Sequence, residues 1–139
     1  MATVTTNYSH HTSVAASKVE RVVSVLYWTY GLLPIAAGAD KFIHLLTDWN
    51  KYLAPVVTNI IPVSPNTFMS IVGVIEIVAG VLVFVKPRIG SLVVGLWLLG
   101  IAFNLVLEGQ YLDIAVRDTV MAIGPFCLYT LLNGKRNGD

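Results

Sequence analysis

Residues 67–107 read TFMSIVGVIEIVAGVLVFV, then KPR, then IGSLVVGLWLLGIAFNLVL. An α-helix rises 1.5 Å per residue, so about 20 consecutive apolar residues cross a hydrocarbon layer of about 30 Å. A soluble amphipathic helix would carry a polar residue at every third or fourth position. Ile71 to Val85 and Ile89 to Leu107 carry almost none, so lipid suits their outer faces better than water. Between them, Lys86-Pro87-Arg88 supplies charge and a proline that cannot continue a helix, which marks a tight turn at a membrane surface.

Working outward, two more runs of similar length follow the same pattern, Val22 to Ala39 upstream and Ile114 to Leu132 downstream. Ser64-Pro65 makes an N-cap and first-turn pair before the second run, and Gly134 stands where a C-terminal cap of the fourth belongs. Pro34 and Pro125 are expected to kink the first and fourth helices. The expected fold is therefore all-α, an integral membrane four-helix bundle spanning residues 21–133. A polar tail at 1–20 precedes it, and a short cytoplasmic tail at 134–139 follows.

Composition agrees. The 139 residues are 55% hydrophobic and 12% charged, against about 25% charged in an ordinary soluble domain, and the mean hydropathy is positive. A net charge of +1, with scattered basic residues, offers no field for nucleic acid. Cys127 is the single cysteine, which excludes an intrachain disulfide or a cysteine-ligated cluster and reads as a small packing residue. The first seventeen residues lack the basic and apolar regions of a cleaved signal peptide, and Asn7-Tyr8-Ser9 is a chance match to a glycosylation pattern.

The basic residues assign an orientation. Lys18 and Arg21 precede span one, Lys86 and Arg88 lie between spans two and three, and Lys135 and Arg136 follow span four. All fall on one side of a four-span topology, so the positive-inside rule predicts both termini in the cytoplasm, as expected for a multi-pass protein of the cell membrane. Residues Lys41 to Ser64 are too long for a tight connection and mix Trp49, Tyr52 and Pro55 with Asp48, Asn50 and Lys51. This stretch is expected to extend helix one and then lie partly in the interface, as a lid over the bundle.

Ionisable residues inside a membrane are costly and need partners, a cavity or a route to water. Here they gather toward one leaflet: Asp40, Lys41 and His44 at the end of helix one, Asn104 and Glu108 at the end of helix three, Arg117 and Asp118 one turn into helix four, and Glu76 near the middle of helix two. Asp40 with His44, and Asn104 with Glu108, are four apart and share helix faces. Glu76 and Arg117 are least able to reach the surface, so an ion pair between them is the expected contact. Asp118 could brace the guanidinium or pair with Lys41. The cluster is expected to serve as a structural clamp, as a polar cavity open to the outer side for a small molecule or quinone head group, or in proton handling.

Gly73 and Gly80 on helix two, and Gly90, Gly95 and Gly100 on helix three, give smooth strips for close helix approach. Tyr27, Trp28, Tyr30 and Trp97 read as lipid-facing or packing aromatics. His10 and His11 are adjacent and not spaced for a helical metal site, and no metal is expected.

Four segments resemble the DoxX-like membrane proteins, a mixed group that includes the small subunit associated with thiosulfate:quinone oxidoreductase. They are Gly38-Ala-Asp-Lys41, the Trp49 to Pro55 stretch WNKYLAP, Gly73-Val-Ile-Glu76 with Gly80, and Ala115-Val-Arg-Asp118, within Val22 to Leu132. The resemblance implies a four-helix bundle, recurring polar positions at Lys41, Glu76, Arg117 and Asp118, and partnership in some relatives with redox or quinone-using enzymes. The first expectation is a non-catalytic small membrane subunit or scaffold of a larger assembly, of the respiratory or photosynthetic electron-transfer kind, with membrane lipids and protein subunits as partners and no cofactor of its own. The alternative is a component of a membrane oxidoreductase that binds a quinone, lipid or other small molecule at Glu76, Arg117 and Asp118. A small channel or transporter is the third.

Overall fold

The computed structural model describes the backbone of residues 2–137 and the side chains of residues 13–134. Helix α1 runs Ala2–Ile43, a 3-10 turn covers Trp49–Tyr52, and α2 is the short helix Pro55–Ile60. Then follow α3 at Pro65–Val85, α4 at Pro87–Glu108, α5 at Leu112–Met121 and α6 at Ile123–Asn137. Four stretches are long and apolar enough to cross a membrane: Ser13–Ile43, Pro65–Val85, Pro87–Glu108 and Leu112–Gly134. Lipid-facing side chains such as Val25, Val78, Phe103 and Val116 stay exposed around the bundle.

The boundaries have local causes. Ser64 accepts a hydrogen bond from the Thr67 amide at 3.2 Å, and Pro65 opens α3. Pro87 opens α4 directly after α3 ends, and a Cβ at Gly90 would collide with the backbone at Val83, so the turn closes only with glycine there. Gly109 ends α4 in the left-handed conformation, with φ 84°.

Three expectations are corrected. The first helix extends upstream of Val22, through the stretch read as a polar tail, to Ala2. Gly134 does not cap the last helix, which continues through it to Asn137. Span four is also divided, with α5 ending at Met121 and α6 beginning at Ile123. Pro125 explains the division: it has no amide hydrogen to give the Met121 carbonyl four residues back. The Tyr30 hydroxyl of α1 donates to that carbonyl instead, at 2.9 Å.

The spans run up, down, up and down, and α3 lies against α1 and α4, α4 against α6, and α6 against α1. Antiparallel α1 and α3 approach most closely. A Cβ at Gly38 would sit 2.5 Å from the Gly73 carbonyl oxygen, and one at Gly80 would sit 2.5 Å from the Gly31 carbonyl oxygen. Two glycines seven apart on each helix thus meet their counterparts across the crossing. Toward the chain termini the bundle is solid, cored by Tyr30, Ala79, Val83, Val94 and Leu128. Arg88 ties α4 to α6 there by donating to the Leu132 carbonyl at 3.0 Å. Toward the 44–64 connection the bundle is hollow.

Candidate functional site

The hollow half encloses a cavity of about 710 Å³, within the range of small-molecule sites. Leu33, Pro34 and Ala37 of α1, Met69 and Val72 of α3, Leu98 and Ile101 of α4, and Ile114 and Met121 of α5 form apolar walls. Gly100 also faces it, and a Cβ there would meet nothing within 4 Å. The expectation that Gly100 packs helices is thereby corrected, whereas Gly73, Gly80 and Gly95 do sit against neighbours, Gly95 against the Phe126 ring.

Polar groups enter the cavity from four helices, α1, α3, α4 and α5. Lys41 Nζ lies 2.6 Å from Glu76 Oε2, and both side chains are buried, at 4% and 5% exposure. Gly73 makes this reach possible: its missing side chain leaves space beside the Lys41 stem, whose Cβ would lie 3.2 Å from a Cβ at position 73. The ammonium also sits over the Trp49 ring, 3.8 Å from its centroid, and Trp97 Nε1 donates to Glu76 Oε1 at 3.4 Å. An ion pair this deep survives because each charge has a partner and further polar or aromatic contacts.

Arg117 does not reach Glu76, which corrects the expected ion pair. Its Nε donates to Asp118 Oδ1 at 3.1 Å, with the Asp118 side chain 8% exposed and that of Arg117 62% exposed. Glu76 instead takes Lys41 because the glycine crossing brings α1 closer to α3 than α5 comes. Both Arg117 and Asp118 line the cavity, so four charged residues border it, two of each sign.

The connection between α1 and α3 closes the hollow end, with Leu46, Thr47, Trp49, Tyr52, Leu53 and Val57 facing inward. Asn104 of α4 holds it at two backbone points: Nδ2 donates to the Tyr52 carbonyl at 2.7 Å, and Oδ1 accepts from the Ala54 amide at 3.3 Å. Asp40 holds the other end, accepting from the Leu45 and Leu46 amides at 3.0 Å and from Trp49 Nε1 at 2.7 Å. Pro55 initiates α2 and stays exposed rather than facing the cavity.

The eight polar residues singled out in the sequence therefore divide by role. Lys41, Glu76, Asn104, Arg117 and Asp118 meet at the cavity, and Asp40 is buried but serves the connecting loop. His44 leaves the cluster because α1 ends at Ile43 and His44 turns left-handed, with φ 52°, into an exposed position. Glu108 is also outside, accepting from the Gln110 amide at 2.9 Å to close the turn after α4. Cys127 is exposed rather than packed. His10 and His11 lie outside the residues whose side chains are described.

Tyr30 packs in the core as expected, and its hydroxyl also replaces a helix hydrogen bond, whereas Trp97, expected to face lipid or to pack, hydrogen-bonds the buried carboxylate. For Trp97 a signal was present: it stands seven residues before Asn104, two turns along the same face of α4, with Gly100 between. Compared with protein-family models, with characterised proteins and with solved structures, the chain gives no match in any of the three.

Proposed function

We propose that this chain is a multi-pass protein of the cell membrane that holds one lipid-soluble small molecule with a polar head group, and that it does so as a non-catalytic component of a larger membrane assembly. The observation that carries the reading is the 710 Å³ cavity, apolar on most of its wall and bordered at one level by Lys41, Glu76, Trp97, Arg117 and Asp118. A purely structural clamp needs no such space, because ion pairs that only fix helix register pack against side chains.

A quinone is the ligand class that best matches the lining. Its carbonyl oxygens accept from the terminal nitrogens of Arg117, which have no protein partner among the described residues. For a flat ring the lining offers the Trp97 and Tyr52 rings, and for a prenyl tail it offers apolar wall. The expectation drawn from DoxX-like proteins points the same way. The termini and the Lys86-Pro87-Arg88 turn take the cytoplasmic side by the positive-inside rule, which puts the lid in the opposite interface.

Purification from the native membrane in mild detergent, followed by solvent extraction and mass spectrometry, tests the reading. A single quinone or isoprenoid species present in stoichiometric amount, and depleted in folded E76Q and R117Q variants, is the expected outcome. Protein that carries no extractable small molecule and retains none when supplied with quinone sinks it. Stoichiometric haem- or flavin-bearing companions would identify the assembly.

A further inference from the structure

The cavity is closed toward the lid and open toward the side. Asn104 and Asp40 fasten the connecting loop, and Leu53 and Ala54 within it are buried. By contrast α5 packs on α4 and α6 without comparable packing on α1, which meets the fourth span mainly through α6. The lid-side half of α1 and helix α5 therefore flank a seam where the bundle ring is incomplete. Ala37 stands on the α1 wall and Ile114 on the α5 wall, and both border the cavity.

Two further features mark this seam. Arg117 stands at it with most of its side chain exposed, though it lies inside a membrane span. An arginine there is tolerable where it has a carboxylate partner and polar surroundings, and Asp118 supplies the partner. Leu33, exposed on α1, belongs both to the cavity lining and to a shallow, mainly apolar groove formed with Trp28, Thr29, Leu32 and Ala36 on the outer face of α1. Leu33 is thus shared between the cavity lining and the outer face of α1.

We infer that the ligand enters sideways from the bilayer, between α1 and α5, and not from the aqueous phase through the lid, with Arg117 meeting its head group at the mouth. The inference rests on the binding function proposed above and adds the route and the shape of the ligand: an elongated amphiphile with a hydrogen-bond-accepting head. A compact water-soluble molecule gains nothing from an opening into lipid, whereas a chain already dissolved in the bilayer can slide in without crossing water.

The test uses the full chain in phosphatidylcholine vesicles, carrying Trp28→Phe so that Trp49 and Trp97, both at the cavity, are the fluorophores. A decyl-substituted benzoquinone is added from ethanol, and quenching is followed in time. Ala37→Phe and Ile114→Phe plug the seam from opposite walls without adding a fluorophore, and Asn104→Ala unfastens the lid. The expected result is saturable quenching in the parent, slowed about tenfold or more by either plug at similar final depth, and unaffected in rate by Asn104→Ala, since access barriers shift rates by one to three decades. Quenching at the parent rate in both plugged variants, or acceleration by Asn104→Ala alone, overturns the lateral route while leaving binding intact. Absence of saturable quenching in the parent overturns the binding function itself and the route with it.

Discussion

Replacing Lys41 by methionine removes a charge while keeping most of the chain length, and so isolates the buried ion pair. In the parent, Lys41 and Glu76 lie 2.6 Å apart with side chains about 95% shielded, the pair being 4% and 5% exposed. Leaving one member of such a pair uncompensated costs about 3–5 kcal/mol, so K41M should lower the folded-to-unfolded ratio by about a hundredfold or more. Glu76→Gln should cost less, about 1.5–3 kcal/mol, because its one amide oxygen still accepts from Lys41, whose ammonium also keeps the Trp49 ring, while Trp97 loses its acceptor. The double variant K41M/E76Q should recover much of the K41M loss, since no charge is then stranded. Unfolding in mixed micelles by increasing sodium dodecyl sulfate, followed by tryptophan fluorescence, gives all four stabilities and closes a double-mutant cycle. Two single variants each within about 1 kcal/mol of the parent, with the double equal to their sum, would refute the claim that this pair is shielded and mutually dependent.

Other perturbations separate the roles assigned to individual residues. Gly80→Ala should destabilise by about 1–3 kcal/mol, because its Cβ meets the Gly31 carbonyl at 2.5 Å, whereas Gly100→Ala should be neutral in the same unfolding assay. Tyr30→Phe should cost about 1–3 kcal/mol by stranding the Met121 carbonyl, and the cost should shrink when Pro125→Ala restores an amide donor to it, which a double-mutant cycle reads directly. Asn104→Ala should raise amide hydrogen exchange at Leu53 and Ala54 while leaving α3 protected, as mass spectrometry of peptic fragments would report.

Much of the fold was legible because lipid imposes a simple condition on sequence, and runs such as Ile71 to Val85 have no other economical home. The fourth span's division was half visible: Pro125 announced a kink, but its position needed the partner on α1 that takes the freed carbonyl. The polar centre was legible as a set and not as pairs. Glu76 and Arg117 were the two residues least able to reach the surface, but that does not say which helices approach. Gly31, Gly38, Gly73 and Gly80 decided that, by letting α1 close onto α3 and carry Lys41 to Glu76. His44 failed for a local reason: an i,i+4 pairing requires the helix to continue, and here it ends one residue earlier. The cavity itself had no sequence signature, since a void is a property of where side chains fail to meet.

The hydrogen bond from Tyr30 to Met121 has a mechanical consequence. It sits where the bundle is solid, joining α1 to the break between α5 and α6, and from that point toward the lid α1 and α5 separate. Two arms fixed at one end and free at the other form a pair of jaws, with the Pro125 break as their pivot. The loop from His44 to Ser64 then acts as a strap across the tips, since Asp40 anchors it to the α1 arm and Asn104 to α4, beside the other. Any rotation at the pivot would be magnified along the length of α5, displacing Ile114 more than Arg117, against the glycine-packed pair of α1 and α3 as the back. Because hydrogen bonds tie the strap to α1 and α4 and, among the described residues, none ties it to α5, it would leave the α5 arm free, and the width of the opening would be set at the pivot rather than at the lid.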